Sequence, residues 1–141
     1  MSRIFWDTNL FIYLLEDYGE LSERVYGLRE RMLERRDELY TSTLTLGEIL
    51  VKPFRAGRPE WAERYEAALA PPAISLIPFD RACARLYAQI RNDSTIRPPD
   101  AIQLASAAQA RCDLFITNDD RLSRKVVPGV QFIVPLARAF L

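Results

Sequence analysis

Short apolar runs alternate with longer amphipathic stretches along the whole chain. Five runs have the residue types of buried strands, the last of them more weakly: residues 4–6, 39–42, 74–77, 113–117 and 130–134. Between them, apolar residues recur at helical spacing, as they do at Leu21, Val25, Leu28 and Met32. The connections are too long for hairpins. The order therefore predicts an α/β fold, a three-layer α/β/α sandwich with a mainly parallel central sheet of four to five strands.

Residues that cap or break helices set the expected boundaries between these elements. Thr43 or Thr45 is placed to cap the helix after the second strand, because a hydroxyl oxygen can accept a bond from a free backbone N–H. That helix should stop near Pro53 and Gly57. Asp80 is expected to cap the helix that follows the third strand.

Length and composition fit a single domain over residues 1–141. The hydrophobic content of 49% is enough for a sizeable core without metals or disulfides. Cys83 and Cys112 lie on expected helices without CxxC spacing, which favours two core thiols. The sequence shows no secretory leader and no apolar stretch of about 18 residues. We therefore expect a cytoplasmic protein that does not contact a membrane.

The charged residues narrow the possible chemistry. The absence of histidine excludes Ser-His-Asp and Cys-His catalysis and most zinc or non-haem iron sites. Residues 1–50 hold 10 acids and 6 bases, whereas residues 51–141 hold 9 acids and 13 bases. Most of the bases are arginine, which suits bidentate phosphate contacts, but the net charge of zero speaks against nonspecific coating of nucleic acid. Chemistry must rest mainly on carboxylates.

Two of the expected strands end close to a carboxylate. Asp7 follows the first strand and Asp119 follows the fourth, and parallel strands have their C-terminal ends at the same edge of a sheet. Glu48, in the first turns of the helix after the second strand, lies close to the loops on that edge. Asp100 does so as well, at the start of a helix expected over residues 100–111. Four carboxylates in one cleft repel each other unless a cation compensates their charge.

An all-oxygen set of this kind selects hard divalent ions, Mg²⁺ or Mn²⁺. Such ions keep waters that can be activated or exchanged for phosphate oxygens, and they stabilise charge on a phosphoryl group. Hydrolysis of a phosphodiester needs these functions. The sequence therefore favours a metal-dependent phosphodiesterase.

Each acid alone also has a simpler structural interpretation. Asp7 could cap the first helix, and Glu48 could fold back onto Thr45 in a capping box. Asp100 could be a first-turn acid favoured by the helix dipole, and Asp119 could belong to a turn. A common position at one sheet edge accounts for all four acids together. If the acids were only helix caps or turn residues, they would not need to share that edge.

Four short motifs resemble, in order and spacing, those of the PIN-domain nucleases. They are Asp7-Thr8-Asn9, Glu48 on an early helix, Asp100-Ala101-Ile102-Gln103-Leu104-Ala105 and Thr117-Asn118-Asp119. The resemblance is closest to the small VapC-type ribonuclease toxins of toxin-antitoxin pairs and covers about residues 3 to 135. It implies an acidic pocket that binds Mg²⁺ or Mn²⁺, endonucleolytic cleavage of RNA, a homodimer, and inhibition by a small antitoxin protein that covers the cleft.

The same resemblance implies roles for individual residues. The acids that correspond to the metal-coordinating and catalytic set are Asp7, Glu48, Asp100 and Asp119. Asn9 and Thr117 correspond to polar supports. Asp120 competes with Asp119 as a ligand, and Asp119 is favoured because it directly follows Thr-Asn at the strand end.

Arginines near these loops are candidates for contacts to RNA phosphates. Arg97, Arg121 and Arg124 lie close in sequence to the acids at the same sheet edge. We expect them to flank the acidic pocket.

Other functions compete with a toxin nuclease. A receiver domain needs a lysine beyond a late strand, whereas Lys52 and Lys125 fall on a helix and in a late loop. A haloacid-dehalogenase-like phosphatase needs an aspartate where Asn9 stands. A housekeeping PIN nuclease and a non-catalytic PIN-like module that binds RNA or protein are the remaining alternatives.

Overall fold

The computed structural model describes residues 1–139, which form one five-stranded sheet with helices on both sides. The strands are β1 (Arg3–Trp6), β2 (Glu38–Ser42), β3 (Ile74–Ile77), β4 (Leu114–Thr117) and β5 (Phe132–Pro135). The helices are α1 (Thr8–Leu15), α2 (Glu20–Arg35), α3 (Thr43–Arg55), α4 (Pro59–Ala68), α5 (Arg81–Ile90), α6 (Pro98–Gln109) and α7 (Asp120–Ser123). A 3-10 turn follows at Leu136–Arg138.

The strands lie in the order β3-β2-β1-β4-β5, and every neighbouring pair is parallel. The first strand of the chain is therefore the central strand. Ile4 pairs with Leu39 on one side and with Leu114 on the other. This arrangement confirms the predicted α/β fold, with a sheet that is wholly parallel and has five strands.

The residues of β1 alternate between two hydrophobic clusters, because successive side chains of a strand point to opposite faces. Ile4 and Trp6 pack in the cluster with α1 and α2, where the rings of Trp6 and Phe11 lie 5.2 Å apart. Phe5 packs on the other face with α5 and α6 and stacks on Phe115 at 5.1 Å. β1 is thus buried on both faces, and its end is fixed in position.

Several helix boundaries differ from the sequence-based expectations. Ser42, rather than Thr43 or Thr45, caps α3 by accepting a bond from the Thr45 N–H at 3.3 Å. α3 includes Pro53 and ends at Arg55, so the expectation that it stops near Pro53 and Gly57 is confirmed. α6 begins two residues before Asp100, at Pro98, a favourable first helical position for proline.

Other expectations about local structure are confirmed. Asp80 caps α5 by accepting a bond from the Cys83 N–H at 2.9 Å. Cys83 and Cys112 are both buried free thiols, although Cys112 lies between α6 and β4 rather than on a helix. Within residues 1–139, no helix is long and apolar enough to cross a membrane.

Candidate active site

The four predicted acids lie around one cavity of about 270 Å³ at the carboxyl edge of the sheet. Each comes from a different place in the chain: the end of β1, the second turn of α3, the first turn of α6 and the residue before α7. The lining consists of Asp7, Thr8, Asn9, Ile12, Glu48, Pro99, Asp100, Gln103 and Asp119. Chain crossovers have therefore brought together side chains that are more than 100 residues apart in sequence.

Asp7 is the most buried of these acids, with 8% of its surface exposed. Its Oδ2 accepts a bond from the Thr117 hydroxyl at 2.7 Å, and its Oδ1 accepts one from the Thr8 N–H at 2.9 Å. Burial raises the pKa of Asp7 to about 6; the bonds from Thr117 and Thr8 lower it, while the charges of Asp100 and Glu48 raise it further. Asp7 both caps α1 and faces the cavity.

Glu48 points toward the start of α1 rather than back along its own helix. Its Oε1 accepts a bond from the Thr8 hydroxyl at 2.6 Å. The capping-box interpretation is wrong, because Ser42 already caps α3 and Thr45 lies one turn inside it. The Thr45 hydroxyl instead accepts a bond from the Thr41 hydroxyl at 2.8 Å, beneath the cavity.

Gln103 ties these groups together, although sequence reasoning assigned it no role. It is 2% exposed, and its Nε2 donates to the hydroxyl oxygens of Thr8 and Thr45, each at 2.8 Å. A longer contact of 3.4 Å reaches Asp7 Oδ1, and the Gln103 carbonyl oxygen accepts a bond from the Ser42 hydroxyl. The usable signal was its spacing, since position i+3 from an acid puts an amide on the same helix face.

Asp119 differs from Asp7 because one of its protein partners is a cation. Its Oδ1 accepts bonds from the N–H groups of Arg121 and Leu122, so it caps α7, and its Oδ2 lies 3.4 Å from the Arg121 guanidinium. Burial acts to raise the pKa of Asp119, but these bonds and the charge of Arg121 outweigh burial and hold the pKa below its usual range. Asp120 is exposed and does not line the cavity.

Asp100, Thr117 and Asn9 are the remaining predicted residues at this edge of the sheet. Burial, followed by the charge of Asp119, raises the pKa of Asp100. Besides its bond to Asp7, Thr117 accepts a bond from the Asp119 N–H at 3.1 Å and so links these two acids. The Asn9 side chain lines the cavity, and its Oδ1 accepts a bond from the Asn118 N–H at 3.4 Å.

Two of the three predicted arginines lie in a second cavity beside the first. Arg121 and Arg124 line it together with Lys125, and its volume is about 330 Å³. Arg97 does not line this cavity, but it stands at the start of α6. Its positive charge partly offsets the rise in the pKa of Asp100. An acidic cavity and a cationic one thus adjoin each other.

The sequence matches a family model described as PIN domain over residues 4–127, a range that holds all four acids. The chain belongs to the PIN-domain family. No curated protein matches the sequence.

Solved structures match this PIN domain along nearly its whole length. A chain of the VapBC2 complex of Rickettsia felis, bound to a DNA fragment from its promoter, is 16% identical, with a TM-score of 0.73 over 94% of this chain and 97% of that chain. A chain of a toxin-antitoxin complex from Klebsiella pneumoniae is 24% identical, with a TM-score of 0.65 and coverage of 92% and 95%. VapC20 of Mycobacterium tuberculosis, a toxin that cleaves the sarcin-ricin loop, is 16% identical, with a TM-score of 0.65 and coverage of 90% and 98%. At these identities the matches establish the fold.

The acids of this PIN domain fit a divalent cation in chemistry and charge. The donors are all oxygen, and two of them, Asp7 and Asp100, have raised pKa values because burial and neighbouring acids disfavour their charged forms. Among residues 1–139, no three His, Cys, Asp or Glu side chains are already arranged as a metal cage. Mg²⁺ does not require a cage, because it usually keeps several waters and takes one or two carboxylates directly.

Proposed function

We propose that this protein is a Mg²⁺- or Mn²⁺-dependent endoribonuclease and the toxin of a type II toxin-antitoxin pair. The observation that carries the nuclease proposal is the convergence of four acids from four separate elements on one cavity. Membership of the PIN-domain family supports it. We assign the metal site to Asp7, Glu48, Asp100 and Asp119.

The electrostatics of the cavity support the binding of a cation. Without one, the buried Asp7 carboxylate faces two further acids, and its pKa rises to about 6. A divalent cation held by Asp7, Glu48, Asp100 and Asp119 would supply a more acidic water and compensate negative charge on the phosphoryl oxygens. It would also favour the ionised forms of Asp7 and Asp100, because opposite charge lowers the pKa of a carboxyl group.

The protein's own groups set the geometry for this reaction. Thr117 and the Thr8 N–H hold the two oxygens of Asp7, while the Thr8 hydroxyl holds Glu48. Gln103 in turn fixes the Thr8 hydroxyl, which holds Glu48, and makes a longer contact of 3.4 Å to Asp7. Such hydrogen-bond partners orient metal ligands and raise metal affinity.

The toxin assignment rests on the structural relatives. The matched structures from Rickettsia felis and Klebsiella pneumoniae are toxin-antitoxin complexes, and VapC20 is described as a toxin that cleaves the sarcin-ricin loop. By analogy we propose an RNA substrate, a homodimer, and a small antitoxin protein that covers the cleft. We propose a cytoplasmic location on the same grounds.

The first experiment compares two adjacent acids. Purified wild-type protein with Mn²⁺ or Mg²⁺ is expected to cut RNA, and Asp119→Asn to lose at least about 100-fold in kcat/KM. Asp120→Asn is the matched control, because Asp120 is exposed and outside the cavity lining. Cleavage is followed on a labelled RNA by gel electrophoresis.

Three outcomes would count against the proposal. Equal loss in both variants would show that the effect is one of general charge, and equal residual cleavage in all three proteins would point to a contaminating nuclease. Absence of cleavage by folded, metal-loaded protein would favour a non-catalytic PIN-like module.

A separate observation tests the toxin assignment. A short neighbouring reading frame for a DNA-binding antitoxin, together with growth arrest on overexpression, is the expected result. An isolated gene whose overexpression leaves growth unchanged would favour a housekeeping nuclease.

A further inference from the structure

The second cavity, which we call the α7 cavity, adjoins the acidic one. It is lined by Thr95, Ile96, Asp100, Asp119, Arg121, Leu122, Arg124 and Lys125. Asp100 and Asp119 belong to the lining of both cavities and form the wall between them. Whatever occupies the acidic cavity therefore lies directly beside the α7 cavity.

The α7 cavity combines an apolar floor with a cationic rim. Ile96 and Leu122 are buried members of the hydrophobic core and supply the floor. Arg121, Arg124 and Lys125 supply the rim. An apolar surface with a few placed charges is typical of a site for a small ligand or for one unit of a polymer.

The rim cations differ in how far they are already engaged. Arg121 pairs with Asp119 at 3.4 Å, and Lys125 pairs with Asp93 at 3.5 Å. Arg124 is exposed and, within residues 1–139, its side chain makes no hydrogen bond or ion pair. Its guanidinium is thus available to bind a phosphate through two parallel N–H bonds.

We propose that the α7 cavity binds one unpaired nucleotide of the RNA, next to the phosphate that is cut. This inference rests on the proposed nuclease function, because it places the nucleotide beside the acidic cavity. Arg124 binds the phosphate of that nucleotide, and the ribose or base packs on Ile96 and Leu122. A site for one unpaired nucleotide would restrict the substrate of the proposed nuclease to single-stranded or looped RNA.

The size of the cavity supports a single nucleotide. About 330 Å³ lies at the lower end of the range of about 300 to 1,000 Å³ for small-ligand sites, far too little for a duplex. Proteins that recognise RNA commonly splay unpaired bases out of loops and pack them on protein side chains. The two neighbouring cavities also act oppositely on phosphate. The acidic one repels phosphate unless a cation is bound, whereas the cationic rim of the α7 cavity attracts it.

The test measures RNA binding without cleavage. Wild type, Arg124→Gln and Arg111→Gln are titrated, in the presence of a chelator, into a fluorescein-labelled single-stranded RNA of about 12 nucleotides and into its duplex. Arg111 is the matched control: it is exposed and precedes β4, at the opposite edge of the sheet. Fluorescence anisotropy gives the affinity at several salt concentrations.

The proposal makes quantitative demands on this measurement. Arg124→Gln is expected to weaken single-strand binding about 10-fold at low salt and to reduce the salt slope by about 0.7, the value for one lost phosphate contact. Arg111→Gln is expected to stay within about 2-fold of wild type. Amide chemical shifts on addition of uridine or adenosine monophosphate should move at residues 95–96 and 121–125.

Several results would overturn the site. Equal losses for single strand and duplex would do so, because a paired nucleotide cannot enter the cavity. Equal effects of Arg124→Gln and Arg111→Gln, or displacement of the RNA by polyglutamate as readily as by unlabelled RNA, would do so too. A protein that shows the expected binding but cuts no RNA in Mn²⁺ would overturn the proposed nuclease function and still support the nucleotide site.

Discussion

At the amino edge of the sheet, Asp37 precedes β2; at the carboxyl edge, Asp7 follows β1. Both residues are 8% exposed, yet their pKa values move in opposite directions. Burial acts to raise the pKa of Asp37, but the Ser2 N–H at 2.8 Å and the Arg35 guanidinium at 3.0 Å outweigh it and hold the pKa low. Asp7 lies deeper in the protein, has no such cation and faces further acids, so burial dominates.

The difference shows that burial alone does not distinguish a structural acid from a candidate metal ligand. Asp37 is stabilised in its charged form by the fold itself and ties the start of the chain to β2. Asp7 is held in place by hydrogen bonds that satisfy its geometry but leave its charge uncompensated. A carboxylate of the second kind is stabilised when a cation binds.

The largest expected effect separates the two aspartates by activity. Asp7→Asn is expected to lower kcat/KM for RNA by at least about 1,000-fold, which corresponds to about 4 kcal/mol, because it removes a proposed metal ligand. Asp37→Asn is expected to leave cleavage per folded molecule unchanged. RNA cleavage at saturating Mn²⁺ is compared after each variant's folded fraction has been measured by circular dichroism.

For stability, we expect the larger effect from Asp37→Asn and the smaller from Asp7→Asn. Asp37→Asn is expected to reduce the free energy of unfolding by about 2 kcal/mol, since it loses charge-assisted bonds. Asp7→Asn is expected to match or exceed the stability of wild type at neutral pH without metal. Urea unfolding checks this, and the comparison fails if Asp7→Asn is the less stable of the two variants.

The next effect is the pH dependence of stability in a chelator. The pKa of Asp7 is 3.8 when unfolded and about 6 when folded, so between these values the folded state binds more protons than the unfolded state. Stability contributed by Asp7 is therefore lost as the pH rises from about 4 to about 7, by about 3 kcal/mol in total.

Asp7→Asn isolates this contribution from that of the other acids. The stability of wild type relative to Asp7→Asn should fall as the pH rises. Adding Mn²⁺ should remove most of this pH-dependent fall, because the ion binds the folded wild type. Curves of unfolding free energy that run parallel for the two proteins between about pH 4 and pH 7 would show that Asp7 titrates normally.

The smallest effect concerns the amide that orients Asp7 and Glu48. Gln103→Met keeps the side-chain length but removes the bonds to Thr8 and Thr45. It is expected to raise the Mn²⁺ concentration for half-maximal cleavage about 10-fold while kcat at saturating metal changes little.

Ser106→Ala is the control for a general disturbance of α6. Ser106 is also buried on that helix, but its hydroxyl donates to the Ile102 carbonyl and lies 3.7 Å from the Cys83 sulfur, outside the hydrogen bonds around Asp7. If Ser106→Ala shifts the Mn²⁺ requirement as much as Gln103→Met does, Gln103 has no special role in positioning.

The sequence predicted the sheet and the convergence of the acids because both follow from short-range rules. The β-branched and aromatic residues of runs such as residues 4–6 favour strands. Parallel strands then put Asp7 and Asp119 at one edge. The cap of α3 did not follow, since Ser42, Thr43 and Thr45 all have suitable hydroxyls. The choice depends on where β2 ends, which its pairing with β3 sets.

The electrostatics of the site lay beyond sequence reasoning for a related reason. The opposite pKa shifts of Asp7 and Asp37 depend on which groups other elements bring near them. The pairing of Asp119 with Arg121 depends on α7, a single helical turn that the sequence pattern did not predict. Gln103 was visible only as a polar residue three positions after Asp100.

The central position of β1 also sets the order in which the molecule can be completed during synthesis. β1 is made first, yet it pairs with β4, and the Thr117 hydroxyl reaches Asp7 across 110 residues of sequence. Contacts so far apart form late, because the entropy of closing the loop must be overcome first. A nascent chain that has not yet produced β4 lacks Thr117 and Asp119, so the proposed nuclease cannot act until almost the whole PIN domain has been translated.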